Sequence, residues 1–251
     1  MFETITLDEP RPNVHRLQLE RRPRLNALNE PMIEELVAAT ELLATQNPGA
    51  VVLEGSGKRA FSIGLDTRAP IALTDNATDG EDIARKGQRV MEAIDALQAP
   101  VVAAIDGFAL GGGLELALAA DVRIGGKSSK YGLPEITHGL IPGAGGTQRL
   151  PALVGHGRAV EMLFTGNKYD AETMEEWGVL TEIVDDDDVT EAALDRAEQL
   201  SKADARATQH VKRLTGPNAW GTTEGYMMER TGLSRAFSLD PFDIARKNDD
   251  E

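Results

Sequence analysis

A chain of 251 residues with 41% hydrophobic residues is long enough for one sizeable core, alone or with a smaller appendage. The absence of cysteine excludes a disulfide framework, a thiolate nucleophile and a cysteine-type zinc site. A formal net charge of −15, from 41 acidic against 26 basic residues, repels nucleic acid, because binding a phosphate backbone needs Lys and Arg to neutralise it.

Other global features set expectations about the surroundings. No run of about 18 apolar residues is present, so no membrane span is expected. Met1 to Glu9 alternates apolar and acidic residues and lacks the basic-then-apolar order of a signal peptide. These features predict a cytoplasmic protein. Only 8 of the 26 basic residues are lysine, and this balance fits adaptation to high salt, where counter-ions screen self-repulsion.

The elements begin with a hairpin: Phe2 to Leu7 alternates, Asp8 to Asn13 carries turn residues, and Val14 to Leu19 alternates again. Pro31 suits the first turn of a helix, and Met32, Ile33, Leu36, Val37, Leu42 and Leu43 fall near helical spacing until Asn47-Pro48-Gly49 stops it. Ala50 to Glu54 is a short strand running into Gly55-Ser56-Gly57. An irregular segment from Thr67 to Gly80 precedes a helix over about Glu81 to Leu97. The strand Val101 to Ile105 then leads through Gly107 and Gly111-Gly112-Gly113 into an apolar helix, Leu114 to Ala120, and a strand, Val122 to Ile124. Strand–turn–helix units in succession predict an α/β core to about residue 195. From about Arg158 the pattern is helical, with one strand candidate near Val179 to Val184.

Two glycine-rich turns follow strands. Gly55-Ser56-Gly57-Lys58-Arg59-Ala60 matches G-x-G-x-x-A, but a dinucleotide fingerprint must open a helix. Gly64 comes too early for one, and Arg59 after Lys58 breaks a phosphate loop. The triplet Gly111 to Gly113 precedes an apolar helix, so free amides at the helix start can meet an acceptor. Taken alone, the triplet is equally what a tight turn against a packed core requires.

Together these segments resemble the crotonase superfamily, in particular enoyl-CoA hydratases. Leu25-Asn26-Ala27-Leu28-Asn29 with Met32 is similar to its first signature. Gly57 to Asp66 is similar to its second, usually G-x-AFSAG-x-D. Ile105 to Leu118 resembles the third, and Pro134-Glu135-Ile136 with Gly139 to Leu150 the fourth. The resemblance covers about residues 1 to 185. It implies an α/β crotonase (ClpP-like) fold, a spiral of ββα units. Residues 1–195 would then form the core domain and 196–251 a helical trimerisation segment.

The resemblance further implies a thioester oxyanion hole formed by the backbone amides of Ile63 and Gly112, which would stabilise enolate charge by several kcal/mol. Ile63 stands where relatives usually carry a small residue; only its amide is needed, while its side chain narrows the acyl channel. Leu25, Ala60, Ile63, Gly64, Leu65, Asp66 and Gly112 would line the acyl-coenzyme A site. Glu115 and Glu135 stand where hydratases carry their catalytic pair. Alone, each is explained by compensation of a helix dipole. Paired around one water, one would be driven to hold a proton and the other to accept one. No separate cofactor is implied, because the thioester is the electron sink.

The remaining polar residues suggest little chemistry. His15, His138, His156 and His210 have no metal-ligand spacing, and His138, three residues after Glu135, faces either the acyl pocket or solvent. A serine peptidase on the same fold would need a serine that Gly112-Gly113-Leu114 lacks. The resemblance implies a homotrimer or dimer of trimers, in which a C-terminal helix caps a neighbour's site. Phe237, Phe242, Arg246 and Lys247 are the candidates for that cap, in a tail that departs from the usual pattern. Hydratase is the expected activity. A double-bond isomerase needing one base, and an RNA-associated role that the charge opposes, are the alternatives.

Overall fold

The computed structural model of the chain describes residues 2–68, 77–215 and 222–237. It divides into two compact units, Met1–Lys202 and Ala203–Glu251. The larger unit is built on a six-stranded sheet of order β1-β2-β3-β5-β7-β10. Its strands are β1 (Ile5–Arg11), β2 (Val14–Leu19), β3 (Ala50–Gly55), β5 (Val101–Ile105), β7 (Val122–Gly126) and β10 (Glu182–Val184). Only β1 runs antiparallel to its neighbour.

The central strands read as unbroken apolar runs because both of their faces are covered, as parallel sheets require. Val51, Leu53, Val101, Ala103 and Ile105 point into one core, under α1 (Glu30–Gln46) and α2 (Ala77–Asp95). The alternate residues, Ala50, Val52, Val102 and Ala104, pack with Val189, Ala193 and Leu194 of α7 (Val189–Ser201) in another. The α1 helix opens on Asn29, whose side chain accepts from the Met32 amide at 3.2 Å, and closes on Asn47 in the left-handed region. Both ends therefore fall where Pro31 and the Asn47-Pro48-Gly49 stop place them.

A second sheet of order β4-β6-β8-β9 is made of three-residue strands. These are β4 (Ala60–Ser62), β6 (Phe108–Leu110), β8 (Lys130–Gly132) and β9 (Lys168–Asp170). The sequence pattern does not predict it, because three residues are too few to show a period of two. Each long strand hands the chain to a short one (β3 to β4, β5 to β6, β7 to β8) before the next helix, which is the expected ββα repeat. Gly55 permits the first handover: a Cβ there would lie 2.2 Å from the Phe61 carbonyl oxygen. The chain thus enters a strand after Gly57, as the rejection of a dinucleotide fingerprint requires.

The hairpin is displaced from its expected place. The first strand begins at Ile5 and runs to Arg11, so its turn is tighter than Asp8 to Asn13 suggests, with Asn13 at φ 62°. The α7 helix continues past residue 195, so the expected domain boundary falls inside it, seven residues before the compact unit ends at Lys202. The smaller unit contains α8 (Ala205–Leu214), capped by Asp204 onto the Ala207 amide at 2.8 Å, and α9 (Thr223–Phe237). Phe242, Arg246, Lys247 and the side chain of Phe237 lie outside the described residues. Among the described residues, no helix is long and apolar enough to cross a membrane.

Candidate active site

The site is assembled where the two sheets part, at the ends of β4 and β6. The α3 helix (Gly112–Leu118) starts after Gly111, which adopts φ 53° and ψ −130°, a conformation open essentially only to glycine. Gly112 is the first residue of the helix, so its amide has no acceptor inside α3. Gly64, at φ +82°, lies against it: a Cβ on Gly64 would sit 2.6 Å from the Gly112 nitrogen and 2.8 Å from the Leu110 carbonyl oxygen. This close approach of two backbones brings Ile63 and Gly112, the expected oxyanion donors, to one place. The Ile63 amide points toward the Leu25 carbonyl at 3.3 Å, a contact longer than a normal N–H···O bond and open to competition from a stronger acceptor.

The loop carrying Ile63 is pinned from the first signature. The Leu28 amide donates to the Gly64 carbonyl at 2.8 Å, and the Asp66 amide to the Leu28 carbonyl at 2.9 Å. Asn26 is buried and acts as a hub: its Nδ2 donates to the Ser56 and Ala60 carbonyls at 3.1 and 2.8 Å, and its Oδ1 accepts from the Arg21 amide at 3.0 Å. Ser62 Oγ donates to the Asn26 carbonyl at 2.8 Å. Asp66 pairs with Arg21 at 2.8 Å; burial pushes its carboxyl up, but the Arg21 pairing and the Arg68 amide together bring it below its ordinary value.

The expected binding residues therefore separate into two kinds. Leu25, Ile63, Leu65 and Gly112 keep partial exposure, whereas Ala60, Gly64 and Asp66 are buried. Asp66 braces the loop through Arg21. Ala60 lends its carbonyl to Asn26, and Gly64 supplies the close approach to Gly112.

The two glutamates differ in their surroundings. Glu115, on α3, is buried, and its Oε1 accepts from the Ala144 and Gly146 amides at 2.8 Å each. Burial raises its pKa, and those amides together with the charge of Arg149 oppose the rise. Glu135 lies in a 3-10 turn, Pro134–His138, closed by Gly139 in the left-handed region. Its Oε2 is buried without a hydrogen-bond partner, and its Oε1 faces Gly111, where a Cβ would lie 2.9 Å away. Burial first, and then the charge of Glu115, push Glu135 up to about 7, against a hydrogen bond to its own backbone. Burial raises the pKa of both carboxyls, but donors oppose the rise at Glu115, while Glu135 is pushed up to about 7.

His138 ends the 3-10 turn and is exposed, so solvent is its setting. Among the described residues no group of three or more His, Asp and Glu is placed to hold a metal. The amides of Ala144 and Gly146, which support Glu115, escaped the sequence reading, since a backbone donor leaves no residue-type signal. Gly145 between them, at φ +110°, is the one visible mark of that turn.

The sequence matches the enoyl-CoA hydratase/isomerase family over residues 9–228. It is 34% identical over 242 residues to a protein named probable enoyl-CoA hydratase echA8 from Mycobacterium bovis, covering 95% of this chain and 91% of that protein. It is 39% identical over 173 residues to the crotonyl-CoA hydratase of Syntrophomonas wolfei, covering 67% of this chain and 64% of that one. A crystal structure of enoyl-CoA hydratase from Bacillus anthracis superposes with a TM-score of 0.91 at 32% identity, covering 98% of this chain and 97% of that chain. With its ββα repeat, its helical C-terminal part and these relatives, the chain belongs to the enoyl-CoA hydratase/isomerase family of the crotonase superfamily.

Proposed function

We propose that the chain is an enoyl-CoA hydratase that adds water across the double bond of a trans-2-enoyl-CoA thioester. The observation that carries this reading is the inequality of Glu115 and Glu135. A hydration needs one group to take a proton from water and one to give a proton to carbon.

In the proposed reaction, water sits between the two carboxyl groups. Glu115 draws a proton from it as the oxygen bonds to the β-carbon. The electron pair of the double bond shifts toward the thioester, and its developing oxyanion meets the Ile63 and Gly112 amides. Glu135 delivers its proton to the α-carbon. A proton then passes from Glu115 to Glu135 and restores the pair, so one water has been added in all. No separate cofactor enters this scheme. Leu25, Ile63 and Leu65 are the residues we assign to substrate contact.

Loss of the conjugated thioester absorbance of crotonyl-CoA tests the reading. Turnover that vanishes in both Glu115→Gln and Glu135→Gln supports it. A folded, coenzyme A-binding protein with no turnover would sink the short-chain form of it. Glu135, raised to about 7, also suits an isomerase: its ionised form would take the proton from the α-carbon and return it to the γ-carbon. Isomerisation of a 3-enoyl thioester that survives Glu115→Gln would favour that second reading.

We further propose a cytoplasmic enzyme that forms a homotrimer or dimer of trimers, with the smaller unit making subunit contacts. The exposed Val211, Tyr226, Met227 and Leu233 are apolar surface of the kind that self-association covers. Analytical ultracentrifugation tests this; a monomer at micromolar concentration would refute it.

A further inference from the structure

The turn that holds Glu115 is itself held. Gly145 is the centre of that turn, and a Cβ on it would lie 2.1 Å from Arg149 Nη1, so the guanidinium occupies the space that a side chain at 145 would fill. Nη1 of Arg149, on α4 (Gly146–Val154), lies 3.4 Å from the Ala144 carbonyl oxygen, and Nη2 pairs with Asp95 at the end of α2. A second tether comes from α2, where Gln88 Nε2 donates to the Gly143 carbonyl at 2.9 Å. Gly87 lets α2 approach: a Cβ there would lie 3.0 Å from the Ala144 Cβ.

We propose that Arg149, anchored by Asp95, is the positioning residue for Glu115, folding the 144–146 turn so that two amides converge on one carboxylate oxygen. The role attributed to Glu115 rests on the hydratase reading; the geometry of the turn does not. Arg149 touches neither substrate nor reacting atoms on this account and acts through the turn and its charge. Among the described residues, few charged groups face Glu115. Arg149 on α4 favours its ionised form, and Glu135 is the opposing carboxyl of the 3-10 turn. The strands packed against α3, β4 and β6, bring no titratable side chain. On α2, Asp95 faces Arg149, while Lys86 and Arg89 pair with Glu30 and Glu41.

With the turn and its charge intact, the ionised form of Glu115 is favoured against the effect of burial, and one of its oxygens is occupied by the two amides. Without them it takes up a proton at higher pH, and the two glutamates become alike. The asymmetry that divides the roles would then fade, although both carboxyl groups are still present.

The test is a carboxyl 13C titration of protein labelled at glutamate, with the Glu115 signal identified by its loss in Glu115→Gln. Arg149→Met should raise the Glu115 midpoint by roughly one pH unit, and Asp95→Asn should move it in the same direction by less. Arg149→Lys, which keeps the charge but loses the planar fork, should recover part of the shift. In crotonyl-CoA hydration the acid limb of kcat should follow the same order, with KM within about threefold of wild type. A Glu115 midpoint unmoved in folded Arg149→Met, or in Asp95→Asn if the former does not fold, would overturn the proposal. Wild-type protein inactive on crotonyl-CoA would sink the hydratase reading and leave the titration as the judge of Arg149.

Discussion

Two stretches of backbone, each close to a helix start, hold the two glutamates, and they treat a carboxyl group in opposite ways. The 144–146 turn offers Glu115 two amides, at 2.8 Å each. The 3-10 turn at Pro134–His138 buries Glu135 Oε2 and gives it no donor. The residue type is the same and the surroundings differ: Glu115 is buried beside two amides and the charge of Arg149, whereas Glu135 is half-buried. The comparison teaches that backbone amides, which no side-chain inventory shows, can bias two identical residues differently.

The harshest way to break the comparison is to remove the carboxylates one at a time. Glu115→Gln and Glu135→Gln should each lower kcat for crotonyl-CoA hydration by about a hundred- to ten-thousand-fold, as read by single-turnover absorbance. A similar loss from both would match a shared water; a loss confined to Glu135→Gln would point to one base.

A gentler disturbance acts on the wall between them. Gly111→Ala places a Cβ 2.9 Å from Glu135 Oε1 at a backbone conformation that disfavours it. It should cost about 1–3 kcal/mol in chemical denaturation and reduce kcat more than KM.

The carboxyl of Glu135 should also leave a mark on stability. Its folded pKa of about 7 lies above its ordinary value of 4.5, so the folded state keeps a proton that the unfolded chain releases. Stability should therefore fall as pH rises from about 4.5 through 7. After discounting for solvent access, Glu135→Gln should be spared about 1–3 kcal/mol of that fall. The midpoint difference between variant and wild type in urea, at pH 5 and pH 8, measures it. An equal difference at both values would contradict the buried, proton-holding state.

The smallest effect is global. With a net charge of −15, added salt should raise Tm by a few degrees through screening, and a Tm that falls with salt would argue against adaptation to high salt. The surface ion pairs oppose this gain, among them Arg11 with Glu191, Asp195 and Glu198, although exposed pairs contribute little each.

Much of this was legible beforehand. The β5 strand falls where Val101 to Ile105 predicts it, and α1 stops at Asn47 because Pro48 and Gly49 cannot continue it. The four signatures marked Ile63, Gly112, Glu115 and Glu135. Hidden were the second sheet, whose strands are too short to carry a pattern, and the roles of Asn26 and Asp66. Asn26 reads as a signature residue, but its work is to bind the carbonyls of Ser56 and Ala60. Asp66 reads as a ligand contact, and its pairing with Arg21 is not visible in that reading. Long-range polar pairings of this kind depend on tertiary placement, and residue order does not encode them visibly.

The amides that steady Glu115 come from 29 and 31 residues further along the chain. During synthesis, at about 5–20 residues per second, roughly two to six seconds separate the addition of Glu115 from that of Gly146. Over that interval a carboxylate destined for the interior lacks the groups that make burial tolerable. The helix bearing it gains its full set of contacts only after the 144–146 turn exists. A nascent chain ending before Gly146 would contain both glutamates without the complete pair of amides that distinguishes them.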